Sequence, residues 1–370
     1  MKQLLALLIL TVAACGDEAR GTPDAAPPVV FPPRAVIVAG DFTTTGVLST
    51  IDPVTREVKM NVGPAMAVGA DPMLRHHAGE LFIINRFENN ITILDDQTLA
   101  LKEQIGTGAD SNPQDVAVVG TKLYVPTYGT KGVTVLTRGS ATTTVIDLSA
   151  DATDGTPECN SAYAIGTDVY VSCQFLVDFK ATVPGKVYVI DTATDTVKPE
   201  RTITLVHKNP FTLFERIPSG SLHAGDLIVA TVNDFTEPGC LERFTPGATP
   251  SAPSCWVTAM DLGGYASRSA FQFIPGAEVT FFAVPGTFPA ADLRAFDNPT
   301  DLLWAGAMNP TTQAIADVAV CPSGEIVVYD STLAASGLRV YSSGGAEITT
   351  APLPIGIANG KFSTHGLECY

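Results

Sequence analysis

Short apolar runs alternate with polar turns along almost the whole chain. The pattern is cleanest over residues 112–148. Residues 116–119, 123–125, 133–136 and 143–146 are aliphatic or β-branched, and Gly, Thr, Lys and Ser fill the gaps. β-Branched side chains pack well on a pleated surface and Gly-rich gaps turn the chain. Four such runs with no helical period between them predict a four-stranded antiparallel meander.

The unit repeats. The second run, Leu123-Tyr124-Val125, follows Gly120-Thr121-Lys122. It matches Val36-Ile37-Val38, Leu81-Phe82-Ile83, Val169-Tyr170-Val171, Leu227-Ile228-Val229 and Ile326-Val327-Val328. The last interval is about twice the others, and the apolar run 279–284 fills it. The spacing predicts seven units of about 48 residues over 34–370, close to the length of a four-stranded propeller blade. A lone four-stranded sheet leaves two faces and two edges uncovered; radial stacking buries the faces and leaves only short edges. The expected fold is therefore all-β, a seven-bladed β-propeller of four-stranded antiparallel blades. The first unit lacks an inner strand before residues 36–38. The C-terminal segment, His365-Gly366-Leu367-Glu368-Cys369, matches the inner runs 114–118 and 316–320. It is expected to supply the missing strand and close the ring. Asp52, Asp95 and Asp191 follow an apolar pair and precede a Thr-rich turn in three different units. Recurrence at one repeat position predicts a turn-capping role for them rather than a catalytic one.

Leu-Tyr-Val followed by Gly-Val-Thr-Val-Leu in 123–136, and Val-Tyr-Val-Ile-Asp-Thr-Ala-Thr-Asp-Thr-Val in 187–197, resemble the YVTN-type β-propeller repeats of bacterial surface and periplasmic proteins. The resemblance is strong around Leu81, Leu123 and Val169 and weak across 209–309. It implies a fold and assigns no catalytic residue.

Apart from Cys15, the six cysteines are Cys159, Cys173, Cys240, Cys255, Cys321 and Cys369. An even count in an exported chain points to disulfides. Of the 15 pairings six cysteines allow, the repeat geometry favours the sequential set Cys159–Cys173, Cys240–Cys255 and Cys321–Cys369. No Cys-x-x-Cys spacing occurs, and the histidines lie apart or, as in His76-His77, on opposite faces of a strand. No metal and no cofactor is expected.

The N-terminus carries an address. Lys2 precedes an apolar run, 4–12, too short to span a bilayer. It ends Val12-Ala13-Ala14-Cys15, which resembles a bacterial lipoprotein signal. The resemblance implies cleavage after residue 14 and lipidation of Cys15. The expected organisation is a signal peptide (1–14), a Pro- and Ala-rich tether (15–33) and the propeller (34–370), in the cell envelope on the outer membrane, periplasmic or surface-facing. The net charge of −16 excludes nucleic acid and an anionic lipid surface as partners. The lipid on Cys15 is then the expected membrane contact, and a monomer is expected.

Loops entering inner strands and leaving second strands share one face around the channel of a propeller. That places Asn112, Gln114, Asp115, Asn160, Asp317 and His365, together with Asn85, Arg86, Tyr128, Gln174, Asn233, Asp234 and Asp330, at one mouth. Polar groups converging there form the default binding site. An aromatic residue follows the second strand in several units, at Phe42, Phe87, Tyr128, Phe175 and Phe235; packing between blades is the expected role. No nucleophile elbow, phosphate loop or zinc-protease motif occurs. The function expected is a binding or assembly scaffold for a protein, peptide or glycan. The alternative is a propeller lactonase or hydrolase with acid/base residues among Asp115, Asp317 and His365.

Overall fold

The computed structural model describes residues 33–219, 222–233, 239–264, 268–274, 277–285, 291–297, 302–303, 308–310, 312–358 and 364–370. Phe235, Asp234, Cys15 and the signal and tether segments lie outside them. The sheets are antiparallel, and most follow the four-strand order read from the sequence. The meander at 112–148 becomes Ala117–Val119, Lys122–Pro126, Gly132–Thr137 and Thr143–Asp147. All six predicted second-strand runs lie in strands, and the run 279–284 lies within Ala277–Pro285.

Six sheets carry four strands or more. The first blade runs from the C-terminal strand Thr364–Cys369 through Ala35–Gly40 and Gly46–Ile51 to Val58–Lys59. The second runs through Pro72–His77, Glu80–Asn85, Asn90–Asp95 and Leu101–Gly106. The third is the meander just described. The fourth is Cys159–Ile165, Asp168–Cys173, Pro184–Asp191 and Thr196–Val197, with Ile203–Lys208 as a further outer strand. The fifth is Glu215–Arg216, Leu227–Ala230, Cys240–Phe244 and Ser254–Thr258, and the sixth begins at Arg268–Ile274. The last unit is a closing sheet of three strands, Ile315–Val320, Ile326–Asp330 and Gly337–Tyr341.

The expectation of seven four-stranded blades is thus corrected to six. Among the described residues, 342–358 add no ladder strand to the closing sheet and form isolated bridges with it, Leu338 to Leu353 and Tyr341 to Glu347. Gly344, Gly345, Pro352 and Pro354 explain the failure. Glycine weakens an extended segment and proline has no N–H to donate to a ladder.

Apolar clusters join neighbouring sheets face to face. Val36, Val38, Leu74 and Leu81 lie between the first and second blades. Phe82, Ile84, Leu123 and Val125 join the second and third. Tyr124, Val133, Val169 and Val171 join the third and fourth, and Tyr170, Val187, Leu227 and Val229 the fourth and fifth. Leu293 and Ala295 meet Val318 and Val328 of the closing sheet, whose Val327 and Tyr329 meet Ile37 and Ala39 of the first blade. Both faces of a strand are therefore covered, which is why Ala35–Gly40 is buried at all six positions and reads as an unbroken apolar run.

The ends of the chain fasten together. Thr364–Cys369 pairs with Ala35–Gly40 in register Gly40 to Thr364 and Ala35 to Cys369. Gly366 is a close-approach position: a Cβ there would lie 2.5 Å from the backbone nitrogen of Leu74. The three disulfides are Cys159–Cys173, Cys240–Cys255 and Cys321–Cys369. The last ties the closing sheet to the strand that completes the first blade. The Asp residues of the repeated turns cap as expected: Asp52 Oδ1 accepts from the amides of Val54 and Thr55, Asp95 Oδ1 from Gln97 and Thr98, and Asp191 Oδ1 from Ala193.

Candidate functional site

Most of the expected mouth residues are spent inside the framework. Asn85, Gln114, Asp115, Asn160, Gln174, Asp317 and Asp330 are buried. Asp115 is fully enclosed at 0 % exposure. Its Oδ1 accepts from Arg75 Nε (2.7 Å) and the Val116 amide (2.8 Å), and its Oδ2 from Arg75 Nη2 (2.8 Å), Ser161 Oγ (2.9 Å) and the Ala162 amide (2.9 Å). One carboxylate thus joins the second, third and fourth blades. The device repeats around the ring. Ser161 Oγ accepts from the Phe214 amide at the entry to the fifth blade (2.8 Å). Asp317 Oδ2 accepts from the Leu367 amide of the first blade (3.0 Å), and its Oδ1 caps Val318. These residues are brackets between inner strands. Sequence reasoning placed them at the channel mouth, and their polar atoms are committed to neighbouring strands.

The other buried candidates are held as firmly. Asp330 takes Arg339 Nε on one oxygen and the amides of Ala314 and Thr332 on the other. Asn160 Nδ2 donates to the Thr212 carbonyl and Gln174 Nε2 to the Pro210 carbonyl, so both stitch the fourth blade to the fifth. Arg86, Asn112, Tyr128, Asn233 and His365 are partly open. Three of them sit together at the second and third blades. Arg86 pairs with Asp71 (2.5 Å) and reaches Gln114 Oε1 (3.4 Å); Gln114 Nε2 donates to Asn112 Oδ1 (2.7 Å), and the Tyr128 amide donates to the Asn112 carbonyl (3.0 Å). Burial, with Glu158 adding to it, pushes the Tyr128 hydroxyl up to about 12, so it stays protonated. His365 Nε2 lies 3.1 Å from the Ala316 carbonyl, and Asn233 stands apart near His207. The mouth residues therefore do not converge as one site.

The channel itself is crossed by charge. Arg75 of the second blade approaches Glu215 of the fifth at 3.9 Å, while its guanidinium grips Asp115. Burial alone would pull the guanidinium down, but Asp115, Glu215 and Glu368 hold it above its ordinary value. Toward the hairpin ends of the inner strands lies a cavity of about 230 Å³, lined by Arg75, His77, Phe82, Val118, Tyr163 and Ala164 among others. His76 turns away from the axis, hydrogen-bonded to Asp96 Oδ2 (2.8 Å) and stacked on Tyr370 at 4.1 Å.

A larger recess lies outside the channel, between the first and second blades. It has a volume of about 610 Å³; Thr44, Thr45, Glu88, Asn90, Thr92 and Gln104 are among its polar lining, and the segment 64–68 with Leu101 forms its apolar side. Gln104 Nε2 donates to Thr92 Oγ1 and Asn90 Nδ2 to the Glu88 carbonyl. No Lys or Arg lines it. Met66 is 90 % exposed at φ +62° and Phe42, two residues before Thr44, is 47 % exposed at φ +58°. Bulky residues with positive φ are uncommon, and such strain concentrates at working surfaces. Phe87 is 51 % exposed and its ring lies 6.5 Å from that of Phe42. The ring contact between Phe42 of the first blade and Phe87 of the second fits the packing between blades expected for this aromatic series, and Phe175 is buried. The signal available in the sequence was the polar run Glu88-Asn89-Asn90 beside an aromatic; nothing in the repeat marked it.

No family model matches the chain, and no curated protein matches it in sequence. Solved structures do. A putative 6-phosphogluconolactonase from Bacteroides uniformis is 12% identical at a TM-score of 0.59, over 92% of this chain and 100% of that one. The dihydro-heme d1 dehydrogenase NirN is 12% identical at 0.55, over 90% of this chain and 74% of that one. A quinoprotein alcohol dehydrogenase-like protein from Bacteroides thetaiotaomicron is 14% identical at 0.54, over 86% and 74%. At this identity the likeness establishes the fold alone. The chain is a β-propeller with four-stranded antiparallel blades.

Proposed function

We propose that this protein is a binding module of the bacterial envelope, lipid-anchored through Cys15, that holds a neutral glycan in the recess between its first and second blades. The propeller acts as a rigid monomeric support with YVTN-like repeats. The observation carrying this reading is the lining of that recess. Amides, hydroxyls and a carboxylate are the groups that pair with sugar hydroxyls, and the absence of a lining cation leaves nothing to attract an anion. The neighbouring Phe42 and Phe87 offer ring faces for apolar sugar surfaces. The three disulfides support an oxidising compartment. Among the described residues no helix is long and apolar enough to cross a membrane.

The rival reading, a lactonase or hydrolase, has fold similarity behind it. Its acid/base candidates are weakened because Asp115 and Asp317 are buried in fixed hydrogen bonds. Binding of the purified protein to an array of neutral glycans tests the proposal. Asn90→Ala with Gln104→Ala should reduce binding about 10- to 100-fold, two hydrogen bonds at roughly 0.5–1.5 kcal/mol each. Unchanged binding in that variant, or turnover of a lactone by the native protein, would contradict it.

A further inference from the structure

The fourth and fifth blades meet at a group of side chains that the proposed recess does not use. Among the described residues, His207, Cys240 and Cys255 form the one trio of histidine, cysteine or acidic side chains whose ligating atoms meet, all within 4.8 Å of one another. His207 stands near the end of Ile203–Lys208, the outer strand of the fourth blade. Cys240 opens a strand of the fifth blade, and Cys255 lies in the strand beside it. His207 Nε2 lies 3.8 Å from Cys255 Sγ, and its Nδ1 lies 3.5 Å from Asn233 Nδ2. The backbone beneath is fixed, since the amides of Val206 and His207 both donate to the buried Glu242 carboxylate at 2.8 Å. Cys240 is buried, His207 half-buried and Cys255 exposed. A reductant can therefore reach the Cys255 sulfur from solvent.

We propose that the Cys240–Cys255 disulfide is a redox gate on a zinc site made of Cys240, Cys255 and His207. In the oxidised form the sulfurs are bonded to each other and no thiolate is present to bind metal. A dithiol reductant supplies two electrons and two protons. The Cys240–Cys255 bond breaks into two thiols, and the reductant becomes a disulfide. A zinc ion then displaces both thiol protons and takes two sulfurs and His207 Nε2, with water in the fourth position. Zinc–sulfur bonds of about 2.3 Å and zinc–nitrogen bonds of about 2.0 Å in a tetrahedron put sulfur and nitrogen about 3.5 Å apart. His207 already stands close to that separation from Cys255. Two-electron oxidation reverses the sequence and expels the ion. The pairing of two soft sulfurs with one imidazole favours zinc over magnesium or calcium.

The test is zinc titration of the full protein in competition with a chromophoric chelator, before and after treatment with a phosphine reductant. The native chain should bind one zinc after reduction and none before it. Cys255→Ser and His207→Ala should each weaken the reduced site by at least 10- to 100-fold, with circular dichroism confirming that both variants fold. Cobalt in place of zinc should show thiolate-to-metal charge transfer in the native chain and lose it in Cys255→Ser. Equal zinc binding by Cys255→Ser and native chains, or no binding after reduction of Cys240–Cys255 confirmed by thiol labelling, would overturn the proposal.

Discussion

Replacing Asp115 by Ala separates a bracket from a ligand-binding residue. In the native chain this carboxylate is wholly buried and accepts from Arg75 twice, from Ser161 Oγ and from the amides of Val116 and Ala162. The substitution leaves the Arg75 guanidinium, whose side chain is only 15% exposed, with Glu215 at 3.9 Å as its remaining ion pair among the described residues. Removing one partner of a buried pair costs about 3–5 kcal/mol, because the surviving charge is no longer compensated. The orphaned amides push the cost toward the upper end. With a denaturant slope of roughly 3 kcal/mol/M, the urea midpoint should fall by about 1–1.7 M. Arg75→Met should be costly too, yet the double variant Arg75→Met, Asp115→Ala should lose at least ~1 kcal/mol less than the sum, since the two side chains are in contact. A midpoint within about 0.3 M of native for Asp115→Ala would refute the bracket reasoning and return Asp115 to the list of ligand-binding residues.

Three further outcomes follow from the same structure. Serine at both Cys321 and Cys369 opens a disulfide with a sequence separation of 48; the chain-entropy estimate for that loop is about 4 kcal/mol, and limited proteolysis should release the C-terminal strand first. Gly366→Ala drives a Cβ against the Leu74 backbone and should cost about 1–3 kcal/mol, read as a lowered thermal midpoint, whereas Gly79→Ala, with open space around it, should cost less despite its positive φ. Burial raises the Glu242 carboxyl above its ordinary value even though Val206, His207 and Thr231 donate to it. The folded chain holds that proton more tightly than the unfolded chain, so the contribution is fully present below about pH 4.5 and is lost as pH rises through the folded value. The decline of the urea midpoint above pH 4.5 should be shallower in Glu242→Ala; an identical slope would contradict it.

The fold was legible because a propeller writes its packing into short local repeats. Both faces of each strand are buried, so the runs around Leu81, Leu123 and Val169 are unbroken and their spacing is regular. The missing inner strand before Val36 and its match near Leu367 gave the ring closure and, with it, the pairing of Cys321 and Cys369. The count of full blades was less legible, since the break beyond Tyr341 depends on where two prolines and two glycines fall within one unit. The role of the mouth residues was less legible, for a physical reason. Asp115 and Asp317 are polar residues beside a channel, and a sequence does not show whether such a group faces water or the amide of the next blade. The clue was present: both occupy the same position in Asp-Val-Ala-Val runs, and recurrence had already identified Asp52, Asp95 and Asp191 as turn caps. The recess was missed because its lining combines outer-strand residues of the second blade, Asn90, Thr92, Leu101 and Gln104, with the segment between the first two blades, which no repeat marks. The trio of His207, Cys240 and Cys255 was hidden for the same reason, because it forms only where the edges of two blades meet.

The measurement that tests the central claim most directly is neutral-glycan binding by three proteins side by side: native, Asn90→Ala with Gln104→Ala, and Arg86→Ala with Asn112→Ala. If the recess between the first and second blades is the binding site, the first double variant loses binding 10- to 100-fold while the second, at the channel mouth, stays within about threefold of native. Loss confined to the Arg86 and Asn112 variant would move the site to the mouth. No glycan binding by the folded native protein would contradict the proposed function.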